Sequence, residues 1–440
     1  MALMKATTGA LHPMLLFFPQ CNKHICEVVH LCQSFNVPII PHGTGTGLEH
    51  GIGAIMGGVC INLSNLSSIV EVNEDDFDCT VEAGVTRKTL NEYLKRTGLM
   101  FPVDPGADAS LGGMVATSAS GTNAMHYGTM KHNVLNLEVV LADGSILHTS
   151  GPQMRARKSS AGYNLTELFV GSEGTLGIIT KVTLRLHAIP EMMVSAISSF
   201  SSVENAVNAA VQMLQCSIPV AKMELLDELS MEISNNYSNL NYPVTPCLFL
   251  EFHGSEKSIK AEIEQVEEVI RENHGGNIIW ADNLEQRNLI WKARHQIYYA
   301  TLAQKPGHKC VVTDVCVPIS KLTKIISETK KDIDASGILG TIIGHVGDGN
   351  FHTQLLFDPK NEREFEIAHQ LEDRISKRAL SLNGTCTGEH GIGIGKMSFL
   401  EQEYGDVGLK TMQSIKRILD PKNIMNPGKV IKLPEEKNAC

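Results

Sequence analysis

Glycine placement limits this chain more than any other feature of its sequence. Three glycine-rich runs lie between Gly43 and Gly177, ahead of a boundary marked by Ile189-Pro190. The first, Pro41-His-Gly43-Thr-Gly45-Thr-Gly47-Leu-Glu-His-Gly51, follows an apolar stretch over 37–40 that reads as a buried strand. A GxGxxG fingerprint here would need glycine in place of Leu48 and would then have to open a helix. The stretch Gly51-Ile-Gly53-Ala-Ile-Met-Gly57-Gly58 is a poor helix former. The Rossmann reading therefore fails. What remains is a row of backbone N–H groups able to line a nest for phosphate, or else a chain of ordinary turns. On this loop alone both readings stand.

The second run, Asp104-Pro-Gly106-Ala-Asp-Ala-Ser110-Leu-Gly112-Gly113 continuing to Ser118-Ala-Ser120-Gly121, mixes small residues with hydroxyls. Nothing bulky in it would block a planar ligand. The third, Val170-Gly171-Ser-Glu173-Gly174-Thr-Leu-Gly177-Ile178, repeats the theme before a strand. Each glycine costs backbone entropy on folding, so three such loops are poorly explained as turns and together favour an extended cofactor.

Length and charge bound the rest. At roughly 100–200 residues per domain, a chain of 440 makes two or three domains. Its 38 basic and 48 acidic residues give a net charge of −10 with no run of Lys or Arg, which argues against nucleic acid or an anionic membrane as partner. The 11 cysteines make no CxxC pair and no metal or iron–sulfur spacing, so they read as reduced thiols; Cys21, Cys26 and Cys32 share one predicted helix. The apolar stretch over 14–18 falls far short of the roughly 20 residues of a membrane span. Residues 1–13 carry only Lys5 as a positive charge, so no Arg-rich transit peptide is expected there.

Strands are predicted over 37–40, 59–63, 79–82, 137–141, 145–148 and 178–186. A helix capped by Asn22 is expected from Ile25, Val28, Val29, Cys32 and Phe35, which recur at three and four residues. Beyond Pro190 longer strands, over 193–200, 248–253, 311–317 and 340–345, alternate with charged helices over 203–215, 258–273, 321–333 and 362–380. That rhythm belongs to an α+β domain with helices on one face of an antiparallel sheet.

The stretch Gly344-His345-Val-Gly-Asp348-Gly349-Asn350-Phe-His352 carries chemistry. Asp-Gly is a preferred pair for a two-residue hairpin turn. With Asp348 and Gly349 in that turn, His345 faces His352 on one side of the ribbon, close enough to share a divalent metal. A third ligand is suggested by Gly388-Glu389-His390-Gly391 in a glycine-rich loop. Two histidines and one carboxylate leave coordination positions open, the arrangement of a catalytic metal. His390 is then a spare base.

Taken together, Gly43-Thr-Gly-Thr-Gly47-Leu, Pro102-Val-Asp-Pro-Gly-Ala-Asp-Ala-Ser110, Ala161-Gly-Tyr-Asn-Leu165, Gly171-Ser-Glu-Gly-Thr-Leu-Gly177, Gly344-His-Val-Gly-Asp-Gly-Asn-Phe-His352, Gly384-Thr-Cys-Thr-Gly-Glu-His-Gly391 and Asn426-Pro-Gly-Lys429 resemble the FAD-linked D-lactate dehydrogenases of the mitochondrial type. The resemblance runs from about residue 18 to residue 430. It implies an α+β chain with an FAD-binding domain of the vanillyl-alcohol oxidase (PCMH) type over 1–190, with a start shorter than the family pattern. A ferredoxin-like cap over 191–415 would carry the substrate and metal sites, and a segment over 416–440 would return to the FAD domain.

By the same resemblance, FAD would be held without a covalent link. His42, Gly43, Thr44, Gly45, Thr46, Gly47 and Leu48 would surround its pyrophosphate. Pro105, Gly106, Gly112, Gly113, Thr117, Ser120 and Gly121 would lie along it, and Glu173, Gly174, Gly177, Ile178 and Asn426 would close around it. A divalent metal, zinc or manganese, would sit on His345, His352 and Glu389. His390 would take the hydroxyl proton as the α-hydrogen leaves for flavin N5. Arg294, in Trp291-Lys-Ala-Arg294-His, would grip the substrate carboxylate, with Lys309 as a second cation.

The implied reaction is oxidation of D-lactate, a D-2-hydroxy acid, to pyruvate in the mitochondrion, with electrons passing to cytochrome c or a quinone-linked carrier. Sister activities on D-2-hydroxyglutarate or glycolate would differ only in the pocket beyond the α-carbon. Alternatives of another class are metal-assisted hydrolysis and a flavin-free, non-catalytic homologue. Two positions depart from the pattern: His126 stands where Arg or Lys is usual, and His50 replaces a usual glycine.

Overall fold

The computed structural model describes residues 15–434, so the expectation for 1–13 lies outside the described residues. Two compact units emerge. One comprises the described residues up to Gly121, Tyr127–Ile189 and the chain from Glu389 onward; the other comprises Thr122–His126 and Pro190–Gly388.

The first unit contains a parallel sheet in the order Leu15–Phe17, Val59–Asn62, Ile39–His42. A five-stranded antiparallel sheet runs Ile69–Asn73, Asp78–Glu82, Ile178–Arg185, Val134–Val140, Ile146–His148. Val134–Val140 is buried along its whole length, and the two polar side chains it carries inward are both answered. Asn136 donates to the carbonyls of Gly151 and Met154, and Glu138 accepts from Thr180 and Lys181. Glu138 also takes the side-chain amide of Asn22. That corrects the expected cap: Asn22 is the first residue of helix Asn22–Phe35, not its cap, its side chain turned to Glu138, and the preceding Cys21 makes no side-chain cap bond. Cys21 accordingly lies outside the helix.

The returning part of this unit begins at Glu389, earlier than the expected 416. Its helical stretch Leu400–Leu419, broken by a kink at Gly405, sets Ile415 and Leu419 against the core that contains Val81, Leu90, Phe101 and Leu137. Met425 then pairs with Ile39 in parallel, extending the sheet beneath the first glycine loop.

The second unit is built on one antiparallel sheet in the order Gly275–Ala281, Met192–Phe200, Cys247–Gly254, Lys222–Leu226, Gly340–Gly344, Asn350–Phe357, Lys309–Val312; Val315–Cys316 also pairs with Asn350–Phe357. Side chains alternate between the two faces. Ala196, Met223, Leu225, Leu248, Leu250 and Ile342 enter a core shared with helices Val203–Gln215, Glu256–Glu272, Leu322–Ser336 and Glu362–Ser381. Ile197, Leu226, Phe249 and Ile343 enter another, closed by helices Glu228–Ser238 and Leu284–Ala303. Helices therefore cover both faces, not one as the sequence rhythm suggests. The smaller layer escapes a periodicity search because the buried side of Leu284–Ala303 includes Arg294 and Thr301 beside Ile290, Trp291 and Ile297.

Candidate functional site

On strand Lys222–Leu226, alternation turns Lys222, Glu224 and Leu226 toward the smaller helical layer. Two charges on a core-facing stripe require partners. Glu224, 1% exposed, has them: its Oε2 accepts from Arg294 Nε at 2.9 Å and lies 2.7 Å from Arg294 Nη2, and its Oε1 lies 2.6 Å from Nδ1 of His345. Burial alone would push this carboxyl up, but His345 and Arg294 outweigh it and hold Glu224 below the usual carboxylate range. Arg294 itself is buried, ruling out a solvent-facing helix arginine.

The His345 and His352 rings meet edge to face with centroids 5.3 Å apart, but not in the expected register. Ile343, not His345, stands opposite His352, and 345–349 form a five-residue connection in place of a two-residue turn. The longer loop is anchored: Val346 is fully buried, and Gly347 leaves room for the thioether of Met125, which a Cβ would strike. The pairing of Val315–Cys316 with Phe351 and Asn350 also claims the start of the last strand. The histidines still meet as diagonal neighbours on one face.

Both rings are held by acceptors. An ionised carboxylate and a carbonyl can only accept. His345 Nδ1 faces Glu224, and His352 Nδ1 lies 3.2 Å from the carbonyl of Thr313, with Asp314 Oδ1 at 3.5 Å. Each neutral ring therefore carries its proton on Nδ1, leaving Nε2 as the lone-pair nitrogen, which is how outer partners orient a metal-binding histidine. Fully buried Asp314 also accepts from Asn350 Nδ2, Thr387 Oγ1 and the N–H of Gly388, all at 2.8 Å. It thereby fixes the residue covalently preceding Glu389, where a side chain in place of Gly388 would strike the Asn350 amide. The donor set on this unit fits a divalent metal.

A second buried carboxylate lies on the same sheet. Glu251 accepts from Ser195 Oγ at 2.7 Å and from the indole of Trp291, and meets Lys222 at 3.0 Å and His253 at 2.8 Å. Lys222 stands over the Trp291 ring, 4.5 Å from its centroid. Trp291 lies one helical turn before Arg294, so this cluster braces the arginine's helix. His126 faces His253, with centroids 6.1 Å apart. Lys309 opens the strand Lys309–Val312 opposite Phe357 and is half-buried.

In the first unit the glycine loops form a cradle. Thr44 Oγ1 accepts from Ser110 N at 3.3 Å, and Gly43 is pressed so closely on Ser110 that a side chain would collide with its hydroxyl. Gly47 and Gly106 have nothing within 4 Å of a Cβ position, while the buried hydroxyls of Ser110 and Ser172 have no partner among the described residues. An open backbone beside unanswered hydroxyls fits a phosphate-bearing cofactor. Pro105, Gly113, Thr117 and Ser120 border the same second loop, and His42 reaches Asn62 at 3.4 Å. Other expected contacts have structural explanations. Gly112 packs on Ala83, Gly177 on Val139, and Gly121 on the backbone of Asp104; Gly174 takes φ +73°. His50 adopts φ +61°, a conformation that favours glycine.

Glu173 turns its carboxylate not to the open loop but to the returning segment. It accepts from Ile392 N at 2.7 Å and Gly393 N at 2.9 Å, and its carbonyl accepts from Asn426 Nδ2, which also donates to Gly51. Lys429 donates to Asn426 at 2.9 Å. This clasp holds the chain just after Glu389 and His390, whose side chains lie 3.8 Å apart.

Glu224, Asp314 and Glu251 belong to none of the motifs legible in the sequence. The available signal is an acidic residue in an otherwise apolar stretch: Glu224 at a core-facing position of Lys222–Leu226, and Asp314 in the break between the short strands Lys309–Val312 and Val315–Cys316, where the sequence suggests one continuous strand over 311–317.

Residues 189–430 match the family model of FAD linked oxidases, C-terminal domain, and residues 13–150 match that of an FAD binding domain. The chain is 55% identical over 423 residues to a probable mitochondrial D-lactate dehydrogenase of Danio rerio, covering 96% of this chain and 85% of the relative. It is 43% identical over 419 residues to a mitochondrial D-lactate dehydrogenase (cytochrome) of Arabidopsis thaliana, covering 95% and 73%. Among solved structures, 4-ethylphenol oxidase of Gulosibacter chungangensis superposes with a TM-score of 0.79 at 17% identity, over 96% of this chain and 89% of that one, showing the shared α+β fold.

Proposed function

Because this chain belongs to the FAD-linked oxidases, with an FAD-binding domain followed by the family's C-terminal domain, we propose that it oxidises D-lactate to pyruvate. One structural observation carries the reading: a buried arginine and a histidine oriented as a ligand share the carboxylate of Glu224. An anion grip beside a ligand pair suits a small 2-hydroxy acid, whose carboxylate and hydroxyl sit on adjacent carbons.

Arg294 holds the substrate carboxylate through a charge-assisted contact, and Lys309 adds a second positive charge. His345, His352 and Glu389 would hold a divalent ion, zinc or manganese, which would supply Lewis acidity at the substrate hydroxyl. His390 accepts the hydroxyl proton at its ring nitrogen. The three glycine loops bind FAD without a covalent link, and FAD, when bound, supplies the acceptor for the α-hydrogen. The glycine-lined backbone approaches the phosphates closely, while Glu173 and Asn426 keep the returning segment in place. The named relatives support a mitochondrial setting and a cytochrome as electron acceptor. No helix among the described residues is long and apolar enough to cross a membrane.

Anaerobic mixing of the purified protein with D-lactate, L-lactate, glycolate and D-2-hydroxyglutarate tests the proposal. D-Lactate should bleach the flavin absorbance fastest. Absence of a flavin band, or faster bleaching by another acid, would overturn it.

A further inference from the structure

Glu224 is placed where two tasks meet. Its two oxygens are divided without overlap: Oε2 serves the Nε and Nη2 edge of Arg294, and Oε1 serves Nδ1 of His345. The three residues come from different elements, strand Lys222–Leu226, helix Leu284–Ala303 and the loop after strand Gly340–Gly344, so no local turn forces them together. Glu224 is 1% exposed and Arg294 6%, and water does not substitute readily for either partner at such burial.

We infer that Glu224 is a positioning residue that ties the carboxylate-gripping Arg294 to the metal-ligating His345, setting the tautomer of the histidine and the aim of the guanidinium with one side chain. This rests on the roles proposed above for those two residues. An acceptor at Nδ1 places the proton there and leaves the Nε2 lone pair for a metal. Engagement of Nε and Nη2 leaves Nη1 as the guanidinium edge that Glu224 does not occupy. Anion recognition and metal binding thus depend on the same carboxylate.

The substitution Glu224→Gln separates this role from that of a mere buried ion pair. An amide has one acceptor oxygen, and the two charged donors of Arg294 attract it more strongly than one imidazole N–H. The amide NH2 then faces His345 Nδ1 and draws its lone pair, which moves the ring proton to Nε2, the wrong nitrogen for a ligand. Titration of FAD-loaded, metal-stripped enzyme with Mn²⁺ alone, read by the EPR signal of free Mn²⁺, should show a Kd raised by roughly 10–100-fold in Glu224→Gln. Bound FAD should be unchanged, and KM for D-lactate should rise. A Mn²⁺ Kd within about two-fold of the parent would overturn the inference while leaving the proposed function standing. A parent that binds no Mn²⁺ would remove the metal site and this inference together.

Should the variant fail to fold, the parent still decides. In ¹⁵N-histidine-labelled, metal-free holoenzyme, the His345 signal, assigned by its loss in His345→Gln, should be that of an Nδ1–H ring. An Nε2–H ring overturns the inference. Where the variant does fold, His352, held by a backbone carbonyl, should keep its tautomer while His345 changes, a split that general loosening would not produce.

Discussion

Glu173 and Glu224 are both buried glutamates in glycine- or strand-framed surroundings, yet their carboxylates meet opposite kinds of partner. Glu173 faces the backbone N–H groups of Ile392 and Gly393, and burial, the largest influence on it, pushes its carboxyl up despite those bonds. Glu224 faces a guanidinium and an imidazole, which overcome the same burial and hold it down. Backbone amides satisfy a carboxylate without leaving chemistry to spare. Charged side chains satisfy it while remaining polar groups whose other edges can face a ligand. The first arrangement fastens a chain segment, whereas the second prepares a site, and each makes its own demand on a mutant.

The largest effect is expected at His390, which the Glu173 clasp holds two residues upstream of Ile392. His390→Ala removes the proposed base but none of the proposed ligands for FAD or metal. Flavin reduction by D-lactate should slow by roughly 10²–10⁴-fold, with FAD and Mn²⁺ binding retained. Stopped-flow rates equal to those of the parent would make His390 a bystander and leave activation to the metal alone.

On the Glu224 side, Arg294→Ala should cost roughly 2–4 kcal/mol in kcat/KM for D-lactate, and Arg294→Lys should recover only part of it. Near-normal kcat/KM in the alanine variant would reduce Arg294 to a structural partner of Glu224. The complementary change, Glu173→Ala, strands two buried N–H groups and should lower folding stability by about 2–3 kcal/mol. Faster amide exchange should then be confined to the segment around Gly391, Ile392 and Gly393, and Mn²⁺ affinity, to which the neighbouring Glu389 would contribute one ligand, should fall less than in Glu224→Gln. If Glu173→Ala weakened Mn²⁺ binding as much as Glu224→Gln, the contrast between the two carboxylates would collapse.

How legible each region is in the sequence follows from the same contrast. The glycine loops announce themselves because a backbone conformation or a close approach leaves a mark on residue type, as at Gly43 against Ser110. His345 and His352 are legible as a pair, but their register is not: Asp348-Gly349 satisfies the rules of a tight turn, and burial of Val346, the seat of Met125 on Gly347 and the pairing of Val315–Cys316 with Phe351 and Asn350 lengthen the loop. Asn22 likewise has the chemistry of a helix cap and is drawn away by Glu138, more than a hundred residues on. Glu224 and Asp314 are the hardest to read, because a single acidic residue inside an apolar strand, or in the short break between Lys309–Val312 and Val315–Cys316, gains its meaning from partners that only the sheet assembles. The helical layer over them is obscured for the same reason, since Arg294 occupies a position where a periodic pattern calls for an apolar side chain.

The smallest effect sharpens the Glu173 side through pH. Lys429 is 1% exposed and donates to Asn426, and burial, only partly offset by Glu173, pushes its ammonium down to about 8 from an ordinary 10.5. Below pH 8 both folded and unfolded chains carry the proton, and the folded state bears the full cost of burying the charge. Between 8 and 10.5 the unfolded chain still holds a proton that the folded chain has released, so stability rises with pH across that window. One proton corresponds to at most about 1.4 kcal/mol per pH unit. Other lysines, tyrosines and cysteines titrate in the same range, so the measurement is a difference: urea midpoints of the parent and Lys429→Met at constant ionic strength. Lys429→Met keeps the apolar stem and leaves the amide of Asn426 on Gly51 and Glu173. Its curve should lack the rise, so the variant's stability advantage over the parent should shrink steadily as pH climbs. Parallel curves would mean that Lys429 stays charged in the fold, and Glu173 would then be a member of a buried ion pair rather than a carboxylate answered by backbone.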